Sequence, residues 1–476
     1  MPEARRRREV SLLPDLESER AARRDKVLAA LRHLMGERVT AAAAVLAAHG
    51  QQESYHAPHA PDLVAFPEST AEVAAIVRAC AEAGMPMIPY GAGTSLEGNA
   101  NAPQGGLCID FARMKAVLAV NAEDMDCRVQ PGITRKALNA ELRNSGLFFP
   151  IDPGADASIG GMTSTRASGT MAVRYGTMRD NVLSLEVVLA DGRVTRTSQR
   201  ARKSAAGYDL TRLFVGAEGT LGIITEITLK LHPVPEAVSA AVCPFESFEG
   251  AVSTAIAVIQ AGIPVARLEL LDEVMIRGVN AYAKLGAMEK PTLFIEFHGS
   301  PASVAEQAQI TEDIARDHGA LQFHWANKPE ERSKLWSARD NTLYAGLGLR
   351  PGSKAMITDV CVPVSRLAEC LVGTKQDISE SDLIAPIVGH VGDGNFHTLI
   401  LIDPNSSDEI ARANALHERM VMRALSLEGT CTGEHGIGEG KIAFLERELG
   451  DAVGLMRAIK RTLDPQGLMN PGKVFR

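Results

Sequence analysis

The run P-G-A-D-A-S-I-G-G-M-T-S-T-R-A-S-G-T, Pro153 to Thr170, limits what this chain can fold into more than any other segment. Small residues fill most of it, and bulky side chains are nearly absent. Such a run cannot build a core, because it has too little apolar area to bury. Nor does it read as a disordered linker, since the strand-like segments C-R-V-Q-P-G and S-L-E-V-V-L-A-D-G-R-V flank it. Backbone laid against a large planar or phosphate-bearing ligand fits better. Glycine lets the chain approach closely, and free N–H groups and hydroxyls hold anions.

Two further glycine segments share this character. Gly91-Ala92-Gly93-Thr94-Ser95 follows the strand-like M-P-M-I-P-Y. The next glycine is Gly98, one position too late for the dinucleotide pattern G-x-G-x-x-G, so alone the loop reads as a turn. Val215 to Glu226, V-G-A-E-G-T-L-G-I-I-T-E, is a glycine-punctuated turn into a strand.

At 476 residues the chain is expected to hold two or three domains. A net charge of −8 and only 4% aromatics disfavour a nucleic-acid surface. No apolar run reaches bilayer length; the longest is the alanine-rich Ala41 to Ala48. Arg5 to Arg8 read as a solvated tail, and no signal-peptide segment follows; an Arg-rich organellar presequence is the weaker option, because Glu3, Glu9, Asp15, Glu17 and Glu19 sit among the arginines. A cytoplasmic protein is therefore expected, with peripheral membrane association left open. The seven cysteines are scattered without a C-x-x-C, which argues against disulfides, a zinc ribbon or an iron–sulfur cluster.

Periodicity divides the chain into a helical N-terminal segment (1–55), a strand-and-turn region (56–235) and an alternating helix–strand region (236–476). In the first two, Val27, Leu28, Leu31, Leu34 and Met35 have helix spacing, Ala71 to Ala83 forms a helix ended by Gly84, and a helix spans Thr134 to Ser145. Asp191-Gly192 marks a hairpin. In the third, helices are expected near Phe248 to Ala261 and Ser303 to His318, and strands at R-L-E-L-L and T-L-F-I-E-F.

Chemistry concentrates near the C-terminus. G-H-V-G-D-G-N-F-H, Gly389 to His397, sets two histidines around a tight turn between the apolar runs L-I-A-P-I-V and T-L-I-L-I. A hairpin would bring His390 and His397 side by side, within reach of one divalent metal at roughly 2.0–2.1 Å each. Glu434 and His435 follow in C-T-G-E-H-G-I-G-E-G-K. Two histidines, a carboxylate and a spare histidine suit a metal that polarises a substrate with a base beside it; zinc, manganese and iron all fit. G-I-G-E-G-K is no P-loop, because Ile442 follows Lys441, and it reads as a tight turn into a helix.

The three glycine segments, in this order, resemble the FAD-binding domain of the vanillyl-alcohol-oxidase (p-cresol-methylhydroxylase, PCMH) type, the FAD-binding oxidoreductase/transferase type 4 family. The resemblance spans about His56 to Pro235. It implies FAD contacts from Gly91, Gly93, Thr94, Ser95, Pro153, Gly160, Gly161, Ser164, Ser168, Gly169, Glu218, Gly222 and Ile223. The first loop has no histidine to bond covalently to flavin, so non-covalent FAD is expected.

The C-terminal half carries L-W-S-A-R-D-N, R-P-G-S-K, T-D-V-C-V-P-V-S-R-L, the histidine hairpin and G-T-C-T-G-E-H-G-I-G. It resembles the FAD-linked oxidase partner domain of D-2-hydroxyacid dehydrogenases, the D-lactate dehydrogenase (cytochrome) type above all. The implied fold is α+β: a two-subdomain PCMH-type FAD-binding domain, then an α+β C-terminal domain with an antiparallel sheet. His390, His397 and Glu434 are implied as metal ligands and Arg339 as the clamp for the substrate carboxylate. The chemistry adds His435 as base, and Asn395, in the turn, as a contact to substrate or metal shell. The expected substrate is a small 2-hydroxy acid. Electrons would pass to an external cytochrome, quinone or flavoprotein, and a homodimer is left open. Glycolate oxidase flavoprotein subunits and D-2-hydroxyglutarate dehydrogenase are the rivals, the latter needing further cations such as Lys354 or Arg350. A non-catalytic flavin-binding subunit is the non-enzymatic alternative.

Overall fold

The computed structural model describes all residues except Met1, Gln52, Glu53, Asn327 and Arg476, and side chains from Leu16 onward except at Leu16 itself and those positions. The Arg5–Arg8 tail therefore lies outside the described side chains. A helix, Pro2–Met35, opens the chain. Val27, Leu31 and Met35 pack from it onto a four-stranded sheet. The strands run in the order Val39–Thr40, Leu63–Ala65, Leu107–Asp110, Met87–Tyr90. Ser69 caps the helix Thr70–Ala83 through the Glu72 N–H, and Gly84 ends it at φ 63°.

A five-stranded antiparallel sheet follows. Its order is Val117–Asn121, Asp126–Val129, Ile223–Lys230, Val182–Val188, Val194–Arg196. The last two strands form the hairpin foreseen at Asp191-Gly192. The helix expected at Thr134 to Ser145 is shorter, Arg135–Leu142, with Thr134 outside as its cap. The small-residue run is more regular than expected: Ile159–Thr165 is a helix capped by the Ser158 hydroxyl, which accepts from the Gly161 N–H.

The third layer is an eight-stranded sheet in which every recorded pairing is antiparallel. At its centre Val265–Leu271 and Thr292–Gly299 are buried along almost their full lengths. Helices Phe248–Gln260, Pro301–Asp317 and Leu367–Ser379 contribute to the main core against these strands. The chain end returns to the first sheet, where Met469 bridges Met87. All seven cysteines are free thiols, and only Cys361 is not fully buried.

Candidate active site

The histidine hairpin forms as its residues predict. Ile387–Gly389 and Asn395–Ile402 pair antiparallel, with Val388 opposite His397. The His390 and His397 ring centroids lie 5.5 Å apart. His390 Nδ1 contacts Glu269 Oε1 at 2.7 Å, and His397 Nδ1 contacts the Thr358 carbonyl at 3.0 Å. With Nδ1 of each ring so held, both Nε2 atoms turn to one oxygen, Glu434 Oε1, at 3.1 and 3.3 Å.

These three side chains could hold a metal ion. One ligand atom from each of His390, His397 and Glu434 lies within 4.8 Å of the others. Burial opposes charge on His390, yet Glu269 and Glu434 raise its pKa to about 10. Burial also works against the Glu434 carboxylate, but the two histidines hold its pKa well below the usual range. Glu434 Oε2 is buried without a hydrogen-bond partner. Outer partners on Nδ1 and a bare inner oxygen are what a metal-binding donor set needs.

His435 lies flat on His397, with centroids 4.9 Å apart and planes 12° apart. Its backbone N–H donates to Asp359 Oδ2, and its Nδ1 faces Glu97 Oε1 at 3.8 Å. Burial disfavours its charged form, but Asp359 and Glu97 outweigh burial and raise its pKa.

The three glycine segments and this cluster line one cavity of about 840 Å³. That is within the size range of ligand sites. Gly91, Gly93, Thr94, Ser95, Pro153, Gly160, Gly161, Ser164, Glu218 and Gly222 all face it, as do Arg339, His390, His397, Glu434 and His435. A Cβ on Gly91 would lie 2.1 Å from Ser158 Oγ, so glycine is what lets the first loop close on the second segment.

Four of the expected contact residues lie off the cavity wall. Ile223 points into the core, and strand alternation puts Ile224 on the cavity instead. Ser168 and Gly169 do not line the cavity; Gly169 packs against the Asp152 carbonyl. Asn395 is also absent from the wall. Its amide donates to Asp359 Oδ1 and the Val360 carbonyl, both at 2.7 Å, so it braces the site from behind. Arg339 does line the cavity, but its Nε and Nη2 are already committed to Glu269. Nη1 has no recorded partner.

Sequence reasoning missed the buried charges behind the site. Glu269 is fully buried in the strand Val265–Leu271, and a lone acid in an apolar strand was the available signal. Lys441 is completely buried, 3.1 Å from Glu97 Oε1 and 3.2 Å from the Asp359 carbonyl. Nothing in its local sequence separates it from a solvated lysine. Neither Lys354 nor Arg350 lines the cavity; Lys354 is exposed, and Arg350 pairs with Glu409 at 2.8 and 3.0 Å.

Comparison with known proteins agrees with this layout. Residues 61–198 match the family described as FAD binding domain, and 234–474 match FAD linked oxidases, C-terminal domain. A probable mitochondrial D-lactate dehydrogenase of Danio rerio is 52% identical, covering 96% of this chain and 93% of the relative. A mitochondrial D-lactate dehydrogenase [cytochrome] of Arabidopsis thaliana is 52% identical over 90% and 76%. A glycolate oxidase subunit of Bacillus subtilis is 36% identical over 87% and 89%. The solved p-cresol methylhydroxylase shares the fold at TM-score 0.79 and 18% identity, covering 95% and 97% of the chains.

These relatives overturn the cytoplasmic expectation, because the Danio and Arabidopsis proteins are named mitochondrial. Net charge and the lack of an apolar span do not report an organellar address, which receptors read separately. Two matched domains and half-identical relatives along nearly the whole length make the chain a member of the FAD-linked oxidoreductases, in the D-lactate dehydrogenase (cytochrome) family.

Proposed function

We propose that this chain oxidises D-lactate to pyruvate, with FAD held non-covalently and a divalent metal held by His390, His397 and Glu434. The observation that carries the reading is the convergence of both Nε2 atoms and Glu434 Oε1 in the cavity that the glycine segments line. When bound, FAD supplies the two-electron acceptor and the metal a Lewis acid beside the α-hydroxyl.

The chain's own residues do the rest. Arg339 Nη1 orients the substrate carboxylate, while Glu269 holds the other side of the guanidinium. His435 takes the hydroxyl proton at Nε2, because Nδ1 faces Glu97. Val388, Leu399 and Ile357 form an apolar wall beside the histidines, which suits a methyl group. A second carboxylate would gain nothing from Lys354 or Arg350, since neither reaches the cavity. Electrons leave to an acceptor outside the chain.

The test is the anaerobic visible spectrum of the purified protein, read before and after D-lactate, L-lactate, glycolate and D-2-hydroxyglutarate in separate cuvettes. Bleaching by D-lactate in preference to the others is expected. A flavin spectrum that D-lactate leaves unchanged would overturn the substrate assignment.

A further inference from the structure

Among the described residues of the C-terminal tail, Asn470 alone reaches the cavity wall, and it is 2% exposed. Its Nδ2 donates to the Asn99 carbonyl at 3.0 Å and to the Glu218 carbonyl at 2.7 Å. Both amide hydrogens are thereby used, which settles which way the amide faces. Oδ1 is left buried with no hydrogen-bond partner. Asn470 is a residue of the cavity wall, and its buried, unpaired carbonyl oxygen calls for a donor.

The tail is held firmly enough to present that oxygen. The Asn470 N–H donates to the Met87 carbonyl, and Met87 N–H to the Leu468 carbonyl, both at 2.8 Å. Lys460 Nζ ties the Met469 carbonyl to the Thr220 carbonyl at 2.8 and 2.7 Å. Asn470 itself sits at φ 42°, a left-handed conformation that asparagine tolerates.

Position selects the end of the cofactor involved. Glu218, whose carbonyl Asn470 holds, accepts through its carboxylate from the Ile437 and Gly438 N–H groups at 2.7 and 2.8 Å. Those residues lie two and three positions after His435, so Asn470 belongs to the His435 end of the cavity and not to a remote adenine end. The isoalloxazine ring system has one N–H in its oxidised form, at N3, and that group can only donate. We propose that Asn470 Oδ1 accepts the flavin N3–H, so that the C-terminal tail fixes the pyrimidine edge of the ring. The inference rests on the FAD reading above and assigns a contact that no glycine segment supplies.

The test compares FAD with 3-methyl-FAD, which lacks the N3–H, in titrations of the full-length apoprotein followed by flavin fluorescence quenching. The intact protein is expected to bind FAD about ten-fold or more tightly than the methyl analogue, the cost of an unpaired buried acceptor together with a misplaced methyl. In Asn470→Ala the preference is expected to shrink to within about two-fold. Equal affinities in the intact protein would overturn the proposal, even if the Ala variant fails to fold. An unchanged preference in a folded N470A protein would overturn it too. Failure to bind either flavin would instead overturn the FAD reading, and this inference with it.

Discussion

Arg339 and Glu269 form a fully enclosed ion pair, with Nε and Nη2 both donating to Oε2 at 2.8 and 2.6 Å. The other Glu269 oxygen holds His390 Nδ1. One carboxylate thus holds both Arg339, the proposed substrate clamp, and His390, a proposed metal ligand. Glu269→Gln is expected to weaken both, because an amide cannot accept from Arg339 and His390 at once. Metal content after dialysis should show affinity lowered roughly 10–100-fold, with kcat/KM for D-lactate falling in parallel. Full metal occupancy in E269Q would show that Glu269 does not position His390.

Lys441, together with His435, favours the ionised forms of the buried Glu97 and Asp359. Lys441→Met removes the lysine charge from two buried carboxylates and leaves them only histidine partners. A loss of about 3–5 kcal/mol is expected, as for a broken buried pair. Urea unfolding of the holoprotein, read against the unmodified chain, measures it. A loss below about 1 kcal/mol would mean that the cluster adjusts without the lysine.

His232 gives a pH dependence away from the active site. Burial, with Lys230 and Arg202 nearby, lowers its pKa to about 4. The folded protein therefore refuses a proton that the unfolded chain accepts at about 6.5. Stability is unaffected by this group above that value, falls as pH drops from about 6.5 to 4, and falls no further below 4. His417, also lowered to about 4, acts in the same direction. His232→Gln, which can still donate to Asn181 Oδ1, should shift the urea midpoint less between pH 7 and pH 5 than the unmodified protein does. Equal shifts in the two proteins would refute the assignment.

Gly169 sits at φ 116°, and a Cβ there would lie 1.9 Å from the Asp152 carbonyl oxygen. Gly169→Ala should push the Pro153 segment out of place and lower flavin content, because Pro153 lines the cavity and Gly169 does not. Flavin-to-protein absorbance ratios on purified protein would show it. A ratio equal to that of the unmodified protein would indicate that the segment relaxes without disturbing the cofactor wall.

Local chemistry was legible in the sequence wherever it depends on neighbours along the chain. The His390–His397 hairpin follows from two apolar runs around a glycine turn, and the helix Thr70–Ala83 from Ser69 and Gly84. The glycine segments announced a ligand wall because their residues cannot fill a core. Charges joined across long separations were not legible. Glu269 meets His390 across 121 residues, and Glu97 meets Lys441 from opposite ends of the chain. The place of Asn395 was not legible for the same reason: its turn was plain, but only the packed structure ties its amide to Asp359, off the cavity wall. The sequence by itself determined the main elements, the glycine-lined wall and the nearness of His390 to His397, through periodicity, glycine and residue chemistry. Tertiary structure alone decided which buried acids pair with which bases and which side of each strand faces the cavity, because those outcomes depend on desolvation and contact between residues far apart in the chain.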